Sequence, residues 1–313
     1  MMKAKAWINI LRPVNLIILA LTLYFIDIFI LQPNFTKYGL LFTLDEFHFF
    51  LLVLSTVLIC GAGYIINDYF DVKTDAINKP HKQIVGKQIS LTSAMRGYML
   101  LTFTGLALGV YLSLHVGNWK LVTIHVIAVF LLYTYSASFK KVAILGNVIV
   151  ALLTAISMLM IVAFEPHLYQ LARPGDYYAA GVCMNMILAI SILAFLFTMI
   201  REVIKDMEDV EGDKADGAST LPVRWGIRAA MIITGVIIAV TIAVLAWLFF
   251  QFQSENKNSY LIYFIVLISL LLGCFVLLVR AKTKQQFTLL SRYVKIAMLA
   301  GMCFMPLYFL IEF

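Results

Sequence analysis

Residues 49–75 read FFLLVLSTVLICGAGYIINDYFDVKTD, from Phe49 to Asp75. The first 18 positions carry no charge, and Asn67, Asp68, Asp71 and Asp75 follow within the next nine. A bilayer crossing takes roughly 20 apolar residues. The stretch therefore reads as a helix that crosses a membrane and delivers carboxylates at one end.

The whole chain is built in the same way. Its 313 residues are 62% hydrophobic and 13% charged, with a mean hydropathy of +0.93. An ordinary soluble domain is roughly 45–50% apolar and about 25% charged. So little charge cannot cover a water-soluble surface of this size, which excludes a cytosolic enzyme. Disorder is excluded too, because disordered segments are poor in apolar residues. Windows of about 19 residues place spans near 14–31, 47–66, 97–116, 119–136, 144–164, 178–200, 229–251, 259–279 and 293–311. The expected fold is all-α: a polytopic membrane protein with nine transmembrane helices. The basic N-terminus followed by the apolar run Val14–Leu31 imitates a signal peptide, but the run is long and no small-residue cleavage site follows it. It reads as a retained first span. Cys60, Cys183, Cys274 and Cys303 are scattered through apolar stretches, form no C-x-x-C pair and read as small packing residues.

Charge placement orients this map. Of the 24 Lys and Arg, 20 fall on the side of the N-terminus and the connections after even-numbered spans (Lys295 just inside span nine among them), leaving Lys37, Lys120, Arg173 and Lys257 on the other side. Excess Lys and Arg mark the cytoplasmic face. The N-terminus and the 66–97, 137–143, 201–228 and 280–292 connections are thus expected in the cytoplasm, and the C-terminus outside.

Two of those connections hold 10 of the 17 acidic residues. The first carries Asp68, Asp71 and Asp75. The second reads KDMEDVEGD from Lys205 and carries Asp206, Asp209 and Asp213, again spaced by three and four. Such spacing puts three side chains on one face of a helix. The motifs start 138 residues apart, each after an even-numbered span. We read one domain over 1–313 with pseudo-repeat halves near 1–143 and 144–280, plus a ninth helix. Six converging carboxylates repel one another unless a cation lies between them. Oxygen ligands without paired His or Cys select a hard cation, and Mg²⁺ takes one or two carboxylates plus phosphate oxygens. Lys79, His81, Lys82 and Lys87 follow the first motif, Lys214, Arg224 and Arg228 the second, and Lys140 and Lys141 lie between. Cations beside a carboxylate–metal cluster suit a diphosphate.

These residues resemble the UbiA superfamily of intramembrane prenyltransferases. Its N-D-x-x-D-x-x-x-D signature is matched by Asn67, Asp68, Asp71 and Asp75, and its D-x-x-D-x-x-x-D signature by Asp206, Asp209 and Asp213. The run AINKPHK after Asp75, the segment YTYSASFKK from Tyr133, GASTLPV from Gly217 and LRPVN from Leu11 are similar to family segments as well. The resemblance implies nine helices around a central cavity with cytoplasmic cap loops. It implies two Mg²⁺ held by the six aspartates as catalytic and metal-binding residues, with Asn67, Lys82, Lys140 and Lys214 on the donor's diphosphate. The run from Arg201 is most similar to the digeranylgeranylglyceryl phosphate synthase-type members, which prenylate a glycerol hydroxyl of a lipid phosphate.

Several expectations follow from that likeness. Breaking an allylic C–O bond leaves a diphosphate and a delocalised carbocation. Aromatic faces stabilise such a cation, with Tyr64, Tyr69, Tyr133 and Tyr135 as candidates. Arg12 and Asn15, at the start of span one, are candidate acceptor contacts. The expected partners are a prenyl diphosphate donor, a lipid-phosphate or aromatic acceptor and the lipid bilayer, with no nucleic acid. The expected setting is a prokaryotic cell membrane with a cytoplasmic active site. Prenylation of an aromatic acceptor in quinone-type biosynthesis is the alternative. A cation-coupled transporter, with Asp27 or Glu165 as an intramembrane acid, is the reading from a different class. Asp27, near the outer end of span one, reads as an acid that snorkels to the interface.

Overall fold

The computed structural model describes residues 2–78, 81, 83–170, 176–251 and 257–313. Among these, nine helices are long and apolar enough to cross a membrane: Pro13–Tyr38, Glu46–Phe70, Leu91–His115, Trp119–Ala137, Leu145–Phe164, Tyr177–Ala215, Leu221–Gln251, Asn258–Arg280 and Lys284–Glu312. We number them spans one to nine. A lipid interior offers no water to backbone N–H and C=O groups, so each crossing must bond them within itself. Among the described residues the only β pairings are the isolated bridges Val85–Ile89 and Val142–Ser219.

The helices overrun their apolar windows, most of all at span six. There the charged sequence after Ile200 stays helical to Ala215. Met, Lys, Glu and Asp in that stretch include good helix formers, so hydropathy saw the apolar part of the helix and missed its length. A further helix, Met2–Ile10, was not expected. Its Ala6 and Ile10 are buried with Ile65, Val85, Ile89 and Ala94, and Trp7 packs alongside. Together with the short helix Val72–Asn78, it forms a platform at the motif end of the molecule.

Asp27 does not snorkel. A π-helical turn, Asp27–Leu31, interrupts span one and swings the acid inward. There it is 8% exposed and accepts a hydrogen bond from Gln32 Nε2 at 2.7 Å. Glu165, the other acid outside the motifs, is buried and accepts from the backbone N–H groups of Thr43 (2.9 Å) and Leu44 (3.3 Å). It pins the connection between spans one and two.

Small residues let the helices approach closely, as expected where lipid supplies no hydrophobic drive between them. A side chain at Gly105 in span three would come within 2.7 Å of Ile59 and 3.3 Å of the Ser55 carbonyl in span two. Residues such as Leu100 and Phe103, both 68% exposed, form the outer apolar belt. Inside, a cavity of about 1250 Å³ is lined by every span except span three, which packs against the outside of span two. The cavity runs from Arg12, Asn67 and Lys205 at the motif end to Lys37, Tyr178 and Phe313 at the other.

Candidate active site

The first motif sits where span two ends. The helix closes at Phe70, and Asp71 bends the chain (φ −87°, ψ 4°) into the helix Val72–Asn78. The bend keeps the helical bonding pattern, since the Asp71 N–H donates to the Asn67 carbonyl (2.9 Å) and the Asp75 N–H to that of Asp71 (2.8 Å). The three acids therefore straddle a bend rather than one straight face. The second motif differs, because span six runs through Asp206, Asp209 and Asp213 without interruption. It stops in a Schellman motif: Gly217 takes φ +69°, Ala218 N–H donates to Asp213 O (2.8 Å) and Gly217 N–H to Lys214 O (3.2 Å). Glu202, buried one turn before Asp206, continues the same acidic face. Its spacing of four from Asp206 was readable in the sequence, but the three-residue motif drew attention away from it.

The aspartates with described partners are held by both charged and neutral donors. Asp68 accepts from Arg12 Nη2 at 2.7 Å. Asp71 accepts from Lys140 Nζ at 2.5 Å on one oxygen and from Asn67 Nδ2 at 2.8 Å on the other. Asp206 accepts from Asn147 Nδ2 (2.9 Å) in span five, and Asp213 from the Thr220 hydroxyl (3.1 Å). Asn147 escaped sequence reasoning altogether, since one Asn in an apolar run carries no local signal.

Lys140 is set by the turn between spans four and five. A Cβ at Gly146 would lie 2.8 Å from the Lys140 Cα, so only glycine lets span five start this close. Ile144 holds φ +68°, a left-handed value rare for a β-branched residue. The Ser219 N–H donates to the Lys141 carbonyl (2.7 Å), and Lys141 Nζ pairs with Asp216 at 2.6 Å. That ion pair holds the Asp216 carboxyl below its ordinary value, and a hydrogen bond from Thr74 adds to the effect. One turn thus ties the first motif, through Lys140 and Asp71, to the end of the second, through Lys141 and Asp216.

Arg12 occupies the other junction. Its backbone is left-handed (φ 51°) and Pro13 starts span one directly behind it. Its guanidinium lies 4.8 Å from the Tyr64 ring centroid while bonding Asp68. Burial opposes its charge, but Asp68 and Tyr64 outweigh burial and raise the guanidinium pKa above its ordinary value. Arg12 therefore belongs to the first motif, and only Asn15 of that expected pair is without a tie to an aspartate among the described residues. Asn15 accepts from Lys295 Nζ of span nine at 2.7 Å.

The polar head of the cavity contains Arg12, Asn15, Tyr64, Asn67, Tyr135, Arg201, Glu202, Lys205 and Lys295. Tyr135 is within electrostatic reach of Glu202, Asp206, Asp71 and Arg12, which include one aspartate of each motif. Tyr133 is 42% exposed and packs edge-on against Phe70, away from the cavity. Residues two apart on a helix point to nearly opposite sides, so the two tyrosines could not share the site. Tyr69 packs into the platform with Trp7 and Val72. Lys214 is exposed at the end of span six, and Lys82 lies outside the described residues. Among those described, no three His, Cys, Asp or Glu side chains form a ready-made metal cluster.

The model of the UbiA prenyltransferase family matches residues 35–299. The chain belongs to the UbiA prenyltransferase family. Relatives of this prenyltransferase include the digeranylgeranylglyceryl phosphate synthase of Sulfolobus acidocaldarius, 32% identical over 241 residues and 77% of each chain. The synthase of the same name from Methanothermobacter thermautotrophicus is 30% identical over 296 residues, 93% of this chain and 92% of that one. Among solved structures, one of a digeranylgeranylglyceryl phosphate synthase aligns over 99% of this chain and 98% of its own, at TM-score 0.64 and 24% identity. A UbiA homologue from Archaeoglobus fulgidus, bound to GPP and Mg²⁺, aligns over 96% of this chain and 99% of its own, at TM-score 0.63 and 18% identity. At these identities the solved structures bear on the fold of the prenyltransferase: an integral, multi-pass membrane enzyme with its spans around a cavity. Family membership also sets aside the transporter reading.

Proposed function

We propose that this prenyltransferase transfers a geranylgeranyl group from its diphosphate to geranylgeranylglyceryl phosphate, a step of ether-lipid synthesis. The observation that carries the reading is that one aspartate of each motif, Asp71 and Asp206, lies within electrostatic reach of Tyr135, which lines the polar head of a long apolar cavity. The names of the relatives favour the lipid-phosphate acceptor over an aromatic one. The excess of Lys and Arg at the motif end supports a cytoplasmic setting for that end, and the organisms of the relatives favour a prokaryotic cell.

In this reading the donor diphosphate lies between the motifs, with Asn67, Lys140 and Lys214 as its contacts. Asp68, Asp71, Asp75, Asp206, Asp209 and Asp213 would hold two Mg²⁺. The donor set fits a hard cation, being oxygen throughout. An ionised carboxylate offers about four lone-pair sites, and the described hydrogen bonds use two on Asp71 and one each on Asp68, Asp206 and Asp213. When bound, Mg²⁺ neutralises charge on the leaving diphosphate.

The chain's own residues account for the rest. Lys140 and Arg12 add fixed positive charge beside the first motif, a preorganised stabilisation of the departing anion. The C1–O bond breaks with its electron pair leaving on the diphosphate. The acceptor's hydroxyl oxygen bonds C1, and its proton passes to a diphosphate oxygen. The faces of Tyr64 and Tyr135 stabilise the allylic cation, while the apolar walls below exclude water that would capture it. Incubation of purified protein with labelled geranylgeranyl diphosphate and a panel of lipid-phosphate and aromatic acceptors tests this reading. Product mass should show the digeranylgeranylglyceryl phosphate; transfer to aromatic acceptors alone would contradict it.

A further inference from the structure

The polar head of the cavity holds a second group of cations, separate from those on the aspartates. Arg201 and Lys205 lie one turn apart on span six, beside the acidic face rather than on it. Arg201 is about 7.5 Å deeper along the helix than Asp206, at a rise of about 1.5 Å per residue. Lys295 reaches into the same space from span nine, where it holds the Asn15 side chain at 2.7 Å. Arg201 is within electrostatic reach of Lys295. The ninth apolar window, 293–311, takes in Lys295 near its start, and the structure sets that residue in the cavity wall.

A charge balance limits what these cations hold. Buried Glu202 accepts from both Arg201 Nη1 and Lys205 Nζ at 2.8 Å. Arg12 is matched by Asp68. Lys205 is also within electrostatic reach of Asp206 of the second motif; set apart from the motif aspartates, three cations against one carboxylate leave two positive charges at the head of the chamber. Uncompensated charge is costly in such a place. A phosphate monoester carries about −1.5 to −2 at neutral pH, whereas an aromatic carboxylate supplies only one negative charge.

We propose that Lys295, Arg201 and Lys205 form the seat for the acceptor's phosphate, with Asn15 steering Lys295. The inference rests on the lipid-phosphate reading given above and assigns it a location. Seated there, the acceptor has its head group one to two helical turns deeper than the donor's diphosphate. Its glycerol hydroxyl then faces the aspartates and its chain follows the cavity. Lys295 is a binding residue for the acceptor and takes no part in holding the donor.

Equilibrium binding of labelled geranylgeranylglyceryl phosphate in nanodiscs tests the assignment, with the dephosphorylated alcohol as its control. Lys295→Met should weaken phosphate-ester binding by about ten- to a hundredfold, the usual worth of a hydrogen bond to a charged group. Binding of the alcohol and the KM for geranylgeranyl diphosphate should stay the same, and Lys295→Arg should restore most of the loss. Unchanged phosphate-ester binding in Lys295→Met overturns the assignment. So does a donor KM that rises as much as the acceptor Kd, or equal loss of the alcohol. Wild-type turnover of the same acceptor reads the proposed function separately: binding without transfer would sink the reaction and leave the seat standing, and absence of wild-type binding would sink both.

Discussion

The two aspartate motifs have the same spacing and are held in opposite ways. The first lies on a bend between two helices, and its described partners include cations brought from elsewhere: Arg12 from the start of span one and Lys140 from the turn after span four. The second lies on one straight helix, and its described partners, Asn147 and Thr220, are neutral. Its nearby cations, Arg201 and Lys205, are on the same helix and pair with Glu202 instead. Identical spacing thus conceals one motif whose geometry depends on assembly of distant segments and another built by a single helix. The backbone agrees, since of the described non-glycine residues with positive φ, Arg12 is itself a partner of the first motif and Ile144 belongs to the turn that carries Lys140. Strained positions of that kind persist where surrounding structure over-determines them, and they cluster at functional sites.

Removing a motif carboxylate should have the largest effect and ignore the difference. Asp71→Ala and Asp209→Ala should each lower kcat by at least about a thousandfold, at the upper end of what loss of one electrostatic group costs. Steady-state diphosphate release measures it, and near-wild-type rates in either variant would break the parallel between the motifs. The next effect should expose the asymmetry. Lys140→Met removes a charge from the first motif and should cost about a hundredfold in kcat. Asn147→Ala removes a neutral donor from the second and should cost about tenfold. Equal losses would mean that the two kinds of support are equivalent.

The smallest effect concerns the tie between the motifs. Asp216 is held below its ordinary carboxyl value by Lys141, so the pair stabilises the folded protein above that ordinary value and loses its contribution as pH falls through the lowered one. Lys141 is partly exposed, which makes the contribution modest. Thermal unfolding in detergent should place Lys141→Met a few degrees or less below wild type at pH 7, with the gap closing under acid. A gap that widened in acid would reverse the sign assigned to the pair.

Much of this organisation was readable from the residues. Nine apolar runs of sufficient length, separated by polar connections, were enough to place the spans. Helical spacing identified the six aspartates, and a Lys-Lys pair in a short connection pointed to Lys140. What escaped was local charge whose meaning depends on three-dimensional context. Arg201, Glu202 and Lys205 sit just past an apolar window, where hydropathy assigns them to a loop, and Lys295 sits near the start of the last window. Their helices carry them into the cavity instead. Tyr133 and Tyr135 stood as equals in the sequence although helical geometry already separated them. The Met2–Ile10 helix is short and rich in lysine, and its burial comes from a tertiary partner, the 83–90 segment.

The central claim is that both motifs act together on one diphosphate through a hard cation. Equilibrium binding of the non-ionising donor analogue geranylgeranyl thiolodiphosphate tests it most directly, measured with and without Mg²⁺ on wild type, Asp71→Asn, Asp206→Asn and the double variant. The account predicts binding that needs the metal, falls in each single variant and falls no further than the larger single loss in the double. Tight binding in EDTA, or variant losses that simply add, would contradict it.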